Sequence, residues 1–209
     1  MKGTDLSGTE GYANQIDKLF QEYECISFEA VHRPIMYCIP PAPSHLLDIG
    51  AGTGRDAAGF AQLGYYVTAI EPVSELRRRA AQLHQSRRIE WLNDCLPELP
   101  TVTKRRQMFD VIMLTAVWMH LDQSQRQHAM PLISALIRSG GVVVFSIRHG
   151  PPPPGRRMFE VGPDETISLA EQAGMSCIQR IEAQNDLRGV SDISWDRLVF
   201  IKKGDTNSS

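Results

Sequence analysis

Three glycines, Gly50, Gly52 and Gly54, alternate directly after an apolar run that ends on Asp48, and a helix-forming run follows from Ala57. This order predicts a buried strand, a glycine turn and the start of a helix. Alternating glycines permit positive φ and let the backbone approach a ligand closely. The helix start directs free N–H groups and the positive end of its dipole towards that ligand. A carboxylate or phosphate group suits the position.

A second candidate is the acid at the end of the next predicted strand. Glu71 closes the run 65–70, about twenty residues after the first glycine, where an acid can accept hydrogen bonds from both ribose hydroxyls. A nicotinamide-dependent oxidoreductase would use the same acid. However, its fingerprint requires a glycine three residues after the second glycine. Arg55 occupies that position here, and the third glycine arrives one residue early, at Gly54.

Strand and helix patterns alternate along the chain around these residues. Strands are predicted near 46–50, 66–71, 88–92, 109–114, 141–147, 176–182 and 197–202, and helices near 55–63, 74–86, 123–137 and 164–173. Alternation predicts an α/β fold with a doubly wound, mostly parallel seven-stranded sheet. Only loop residues separate the last two strands, so that pair is predicted to be antiparallel.

The front of the chain has a different pattern. Apolar residues at helical spacing predict an amphipathic helix over 11–24, a short helix follows at 28–32, and prolines at 40–43 form a stiff link. We therefore expect a helical cap or lid over residues 1–43, with loose residues 1–10. The main domain is expected over residues 44–203, and a disordered tail over residues 204–209.

Composition limits the possible partners. The 209 residues carry a formal net charge of -2, and 42% of them are hydrophobic, which is ordinary for a soluble protein and argues against a nucleic-acid partner. No apolar run approaches the roughly 20 residues needed to span a bilayer, and the N-terminus is polar, so a cytoplasmic protein without a signal peptide is expected. The four scattered cysteines predict reduced thiols and no metal site.

The motifs together carry a family resemblance. The order Asp-Ile-Gly-Ala-Gly-Thr-Gly at residues 48–54, the strand-end Glu71, the Asn-Asp-Cys stretch at 93–95, the Phe-Asp to His-Leu segment at 109–121 and the glycine pair at 140–141 resemble the class I S-adenosylmethionine-dependent methyltransferases. The resemblance implies the methyltransferase fold with S-adenosylmethionine as cofactor and S-adenosylhomocysteine as product. In this family the first motif lies along the methionine half of the cofactor, Glu71 takes the ribose, and Asp94 accepts from the adenine amino group. The cofactor-binding residues expected from the resemblance are Asp48, Gly50, Ala51, Gly52, Gly54, Glu71, Pro72, Asp94, Cys95 and Thr115.

The residues expected at the methyl acceptor lie on the front segment and after the fourth and fifth strands. Arg148, four prolines and then Arg156 and Arg157 leave the fifth strand as a stiff arm, and arginine suits bidentate recognition of carboxylate or phosphate. No Asn/Asp-Pro-Pro-aromatic tetrad follows the fourth strand, which counts against methylation of an exocyclic base amine. The expected acceptor contacts are Tyr12, Tyr23, His32, Trp118, Arg148, Arg156 and Arg157.

Loss of a proton from the acceptor points to histidine as general base. His149 and His120 are the candidates, because each follows a strand whose carboxyl end borders the site. The sequence thus predicts methyl transfer to an oxygen or nitrogen of a small soluble molecule that is anionic or planar. A non-catalytic sensor or partner subunit, and an RNA or protein methyltransferase, stay open as alternatives. No sequence signal indicates the oligomeric state.

Overall fold

A seven-stranded sheet forms the centre of the computed structural model, which describes residues 9–204. Its strands are β1 (His45–Ile49), β2 (Tyr66–Ile70), β3 (Ile89–Leu92), β4 (Phe109–Thr115), β5 (Ile137–His149), β6 (Met175–Asn185) and β7 (Ser194–Lys202). They lie in the order β3-β2-β1-β4-β5-β7-β6. β7 runs antiparallel to both β5 and β6, whereas the pairs formed by β1 to β5 are parallel. The predicted fold class is confirmed, including its antiparallel last pair.

Helices cover both faces of this sheet. They are α1 (Ile16–Glu24), α2 (Phe28–His32), α3 (Arg55–Gln62), α4 (Ser74–Leu83), α5 (Pro100–Arg105), α6 (Gln123–Leu136) and α7 (Pro163–Gln172). Alternate residues of β4 point to opposite faces. Val111 and Met113 therefore pack in the core with α2 and α3, while Ile112 and Leu114 pack in the core with α6 and α7.

Burial on both faces explains why the central strands read as nearly continuous apolar runs. It also fixes the register, so that the carboxyl ends of β1, β2 and β4 meet at one edge of the sheet, where Ile49 pairs with Ile70 and Asp48 pairs with Met113. Ligands of open parallel sheets bind at this edge.

The chain after β5 returns to the same edge. The proline arm at residues 151–154 leads to Phe159, whose N–H donates to the carbonyl of Met119 at 2.7 Å. Met119 belongs to a short 3-10 helix, Trp118–His120, that follows β4. The arm is therefore fastened beside the end of β4.

Three local predictions differ from the structure. The first helix begins at Ile16 rather than near residue 11, because turn residues come before it, so Tyr12 lies on a turn. α5 was not predicted, since six residues are too few to show helical spacing; it forms because Asp94 accepts hydrogen bonds from the N–H groups of its first turn. β5 begins at Ile137, before the predicted start at 141, and a register shift in its pairing with β4 accommodates the glycine pair.

The front segment shares the core of the sheet. Phe28, Ile35 and Ile39 pack in one cluster with Leu46 of β1 and Phe60 of α3. The boundary at residue 43 between a cap segment and the main domain stays a prediction. The loose start and disordered tail were placed largely on residues 1–8 and 205–209, which lie outside the described residues.

Candidate active site

Two adjoining cavities lie at the carboxyl edge of the sheet. The smaller has a volume of about 120 Å³ and is lined by residues after β1, β2, β3 and β4, while the larger has about 310 Å³ and extends towards α1, β5 and β7. The residues lining both are Tyr12, Tyr23, Gly50, Gly52, Thr115 and Ala116. Ligands in the two cavities would therefore meet at these six residues.

The glycine turn needs its glycines. Gly50 has a φ of +70°, and a Cβ there would lie 2.6 Å from Cγ2 of Val117. Gly52 has a φ of +58°, and a Cβ there would meet only the carbonyl oxygen of Gly50, at 3.9 Å. The space above Gly52 is thus open for a ligand to contact the backbone. Gly54 caps α3 and lies against Trp91 and His84 instead of lining either cavity.

Glu71 is buried at the end of β2 and lines the smaller cavity. Its Oε2 accepts from the N–H of Gly52 at 3.0 Å and its Oε1 accepts from the N–H of Val73 at 2.9 Å. Burial raises the pKa of Glu71 to about 7, against the lowering effect of these two N–H groups. Each oxygen keeps a free lone pair for the two hydroxyls of a ribose.

Asp94 lines the smaller cavity beside Cys95, but most of its hydrogen bonds serve the fold. Its Oδ2 accepts from the N–H groups of Thr101 and Val102, both at 2.8 Å, and its Oδ1 accepts from the N–H of Cys95 at 3.0 Å. Oδ1 retains the capacity to accept one more donor, such as an exocyclic amine. Pro72 lines the same cavity.

Two buried side-chain oxygens of residues that line the larger cavity have no hydrogen-bond partner among the described residues. They are Oδ2 of Asp48 and Oγ1 of Thr115, and both residues line the larger cavity. Burial and the nearby Asp56 carboxylate raise the pKa of Asp48 well above its ordinary range. A buried polar atom without a partner is costly, so these two atoms call for a polar or cationic ligand group. Ala51 lines the cavity beside them.

Tyr12, Tyr23 and Arg156 form a clasp across the larger cavity. Arg156 donates to the hydroxyl of Tyr23 at 3.0 Å, and its guanidinium carbon lies 4.2 Å from the centre of the Tyr12 ring. The structure therefore brings together three of the residues expected at the acceptor, from segments more than 130 positions apart in the chain.

Arg148 also lines the larger cavity, but Arg157 does not. Arg148 donates to the carbonyls of Gly150 and Pro151 and has no carboxylate partner among residues 9–204. Burial, followed by the nearby Arg188, lowers the pKa of Arg148. Arg157 points away from the cavity, where its Nε lies 3.6 Å from Glu10.

His120 lines the smaller cavity. Its Nδ1 lies 2.8 Å from the carbonyl oxygen of Arg157, and its Nε2 lies 3.0 Å from the hydroxyl of Tyr12. Burial lowers the pKa of His120, because the charged ring loses hydration there. The ring is therefore neutral near pH 7.

Besides Gly54 and Arg157, three more of the expected residues line neither cavity. Trp118 is fully buried in the core and donates from Nε1 to Thr166 at 3.1 Å, because the chain turns at Ala116 (φ +61°) directly after β4. The other two are histidines whose rings are turned towards carboxylates. Nε2 of His32 lies 3.0 Å from Asp56, and Nε2 of His149 lies 2.8 Å from Asp196.

Sequence reasoning missed three arginines of the larger cavity, Arg55, Arg188 and Arg197. Arg55 pairs with Asp56. Arg188 follows β6 and pairs with Asp186 and Glu22. Arg197 lies on β7, is buried, and donates to the carbonyl of Val31. The sequence could have indicated Arg197 as a site residue, since a charged residue inside a buried strand pattern calls for a functional explanation. Arg188 lies in a loop, where no such pattern exists.

No group of side chains suited to a metal ion occurs among the described residues, and the four cysteines are free thiols. No helix within residues 9–204 is long and apolar enough to cross a membrane.

Together, the glycine turn, the strand-end acid and the sheet order are those of the class I methyltransferase fold. Comparison with known proteins agrees, since residues 46–141 match the family model described as "Methyltransferase domain". This stretch therefore matches a methyltransferase domain, and the fold is that of solved S-adenosylmethionine-dependent methyltransferases. The methyl donor of that family is S-adenosylmethionine.

Individual relatives are distant. An uncharacterised methyltransferase of Geobacillus kaustophilus is 28% identical over 137 residues, which are 66% of this chain and 58% of the relative. The 1,6-didemethyltoxoflavin-N1-methyltransferase of Burkholderia thailandensis, solved with 1,6-didemethyltoxoflavin and S-adenosylhomocysteine, superposes with a TM-score of 0.69 at 18% identity, over 92% of this chain and 86% of that one. The N-methyltransferase NodS of Bradyrhizobium japonicum superposes with a TM-score of 0.66 at 18% identity, over 90% and 99% of the two chains. The chain thus spans about 58% of the length of its first curated relatives, and the structural matches concern the fold.

Proposed function

We propose that the protein transfers the methyl group of S-adenosylmethionine to an oxygen or nitrogen of a small anionic molecule with an apolar or planar body. The observation that carries this proposal is the larger cavity, which is lined both by the glycine turn and by a group of arginines. Its volume of about 310 Å³ lies in the range of small-molecule sites.

The residues present fit the cofactor. Two atoms without a partner suit the methionine half of the cofactor. Oδ2 of Asp48 suits its ammonium group, and Oγ1 of Thr115 suits the side of its sulfonium. Glu71 would accept the ribose hydroxyls, and Asp94 would accept the adenine amino group. When bound, S-adenosylmethionine supplies an activated methyl group that needs no further activation.

Charge in the larger cavity favours an anionic acceptor. Burial lowers the pKa of Arg148, and the nearby Arg188 and, to a smaller extent, Arg156 lower it further. Like charges crowded at a cavity wall repel each other, and an anion between them would relieve that repulsion. Because Arg55 and Arg188 are already paired with carboxylates, Arg148, Arg156 and Arg197 are the arginines of this cavity left for a ligand.

The remaining wall of the larger cavity favours an apolar body. Met119, Met158, Ile193 and Trp195 line it, and methionine and tryptophan contact flat ring systems well. The main contribution of the chain is then to hold the acceptor in line with the methyl group and to exclude water. Such positioning can supply roughly 7–11 kcal/mol of barrier reduction.

A turnover assay tests the proposal. Purified protein is incubated with S-adenosylmethionine and matched probes, namely hydroxybenzoates and aminobenzoates against the corresponding benzamides, and S-adenosylhomocysteine formation is measured. We expect turnover of a carboxylate probe and at least tenfold less of its neutral amide. Arg148→Gln should remove that preference without changing the affinity for S-adenosylhomocysteine, whereas Arg180→Gln, on the exposed face of β6, should change neither.

Two outcomes would contradict the proposal. Equal turnover of carboxylates and amides would refute the anionic acceptor. Tight binding of S-adenosylhomocysteine without turnover of these probes or of a metabolite extract would favour the non-catalytic sensor.

A further inference from the structure

We propose that Tyr12 and His120 form a proton relay, in which the Tyr12 hydroxyl takes the proton lost by the methyl acceptor and His120 receives the tyrosine's proton. The inference rests on the proposed methyl transfer and adds the groups that complete it.

Position is the first argument. The reacting atoms must meet where the two cavities join, and three polar side chains line both cavities: Tyr12, Tyr23 and Thr115. The hydroxyl of Tyr23 accepts from Arg156. Of the three, Tyr12 is the one hydrogen-bonded to a group that can take up a proton near neutral pH, the imidazole of His120.

The hydrogen bonds fix the tautomer of His120. Its Nδ1 lies 2.8 Å from the carbonyl oxygen of Arg157, and because a carbonyl can only accept, Nδ1 must carry the hydrogen. Nε2 of the neutral ring is then a bare acceptor, 3.0 Å from the hydroxyl of Tyr12. Tyr12 therefore donates to His120, and its oxygen, which also accepts from the Arg156 guanidinium, keeps one lone pair for an O–H or N–H of the acceptor.

Electrostatics supports a relay over a free phenolate. Burial, followed by the neighbouring Tyr23, raises the pKa of Tyr12, so this hydroxyl does not stay ionised by itself. Burial lowers the pKa of His120, which keeps a lone pair ready at pH 7. The charged and titratable groups that face the pair are Glu10, Tyr23, Glu71, Arg148 and Arg156.

The step balances in atoms and charge. The acceptor atom bonds to the methyl carbon as the bond from that carbon to sulfur breaks, and the electron pair stays on sulfur. The acceptor proton moves to Tyr12 Oη while the proton of Tyr12 moves to Nε2 of His120. The positive charge lost from the sulfonium thus reappears on the imidazolium, and the net charge of the site does not change.

The first test needs no turnover. In protein labelled with ¹⁵N-histidine and saturated with S-adenosylhomocysteine, we expect the His120 signals at pH 7 to show a protonated Nδ1 and a bare Nε2. Tyr12→Phe should shift the Nε2 signal, and Tyr37→Phe, at an exposed tyrosine, should not. A protonated Nε2 or a charged ring at pH 7 would overturn the relay.

The second test compares an acceptor that must lose a proton with one that has already lost it. The probes are 4-hydroxybenzoate and 4-mercaptobenzoate, whose aromatic thiol is largely ionised at pH 8. We expect Tyr12→Phe and His120→Gln each to lower kcat for the phenol by roughly 10²–10⁴-fold, and to change kcat for the thiolate less than fivefold. His128→Gln, at an exposed histidine, is the matched control.

The outcomes separate the relay from the wider proposal. Equal losses for both probes would mean that Tyr12 and His120 only shape the site, and no loss for either would exclude them from proton transfer. If the wild type binds S-adenosylhomocysteine but turns over neither probe, the proposed acceptor class fails, and the tautomer measurement alone decides on the relay.

Discussion

Replacing Glu71 by glutamine should have opposite effects on folding and on cofactor binding. Burial raises the pKa of Glu71 from 4.5 to about 7, a difference that corresponds to about 3 kcal/mol. Because the pKa in the folded state is the higher one, this stabilising contribution is complete below pH 4.5 and is lost as the pH rises to about 7. The wild type should therefore lose about 3 kcal/mol of unfolding free energy relative to Glu71→Gln between pH 4.5 and pH 8.

Denaturant unfolding at closely spaced pH values measures this difference. In Glu71→Gln the side-chain NH2 replaces one oxygen and faces a backbone N–H, of Gly52 or Val73, so one hydrogen bond is lost. This loss lowers the unfolding free energy by an amount that does not vary with pH. The pH dependence of the difference between the two proteins thus isolates the titration of Glu71. Glu98→Gln, at an exposed glutamate, is the control. Parallel stability curves for wild type and Glu71→Gln would refute the reasoning.

Cofactor affinity should change in the opposite direction. Above pH 7 the ionised Glu71 accepts both ribose hydroxyls, and hydrogen bonds to a charged group contribute about 1.5–3 kcal/mol. Glu71→Gln should therefore weaken S-adenosylhomocysteine binding by roughly ten- to a hundredfold at pH 8. In the wild type the affinity should fall as the pH drops below about 7, and calorimetric titration checks both. An affinity that is independent of pH would exclude Glu71 as the ribose ligand.

Two further substitutions test the placement of the site. Gly50→Ala should abolish S-adenosylhomocysteine binding, since its Cβ would lie 2.6 Å from Cγ2 of Val117. Gly140→Ala is the control, because Gly140 has a similar positive φ but no atom lies within 4 Å of an added Cβ. It should cost only the backbone strain and leave binding intact. Trp118→Phe should lower the unfolding free energy by about 1–3 kcal/mol, because Thr166 loses its donor and a void opens in the core. If Trp118 lined the acceptor site, KM would change while stability did not.

The sheet and the meeting of Gly50 and Glu71 at its carboxyl edge could be predicted because they depend on local patterns. Strands buried on both faces are apolar throughout, and glycines mark where they end, so the positions of Gly50 and Glu71 followed from spacing alone. Asp94 was expected from the resemblance to contact the adenine. In the structure its carboxylate caps the first turn of α5, and its free lone pair keeps the adenine contact as a proposal.

The acceptor half could not be predicted to the same depth, because its geometry depends on contacts between distant segments. His149 stands at the end of a central strand, yet the pairing of β5 with β7 places its ring against Asp196. Nothing in the local sequence says that Ala116 adopts a left-handed conformation and that Trp118 therefore enters the core. The pairing of Arg156 with Tyr23 joins residues whose spacing carries no signal.

The family match covers residues 46–141, and most of the residues that line the larger cavity lie outside it. Arg148, Arg156, Arg188 and the two clasp tyrosines, Tyr12 and Tyr23, all lie outside residues 46–141. If these outer residues bind the acceptor as proposed, homologues can keep the donor half of the site while their acceptors diverge, since most of the proposed acceptor contacts lie outside the matched stretch. A substrate assigned to a homologue that aligns only within residues 46–141 should not be transferred to this protein, whereas one that shares the outer arginines and tyrosines is informative. For the same reason, exchanging these outer segments between homologues is a direct route to new acceptor specificity.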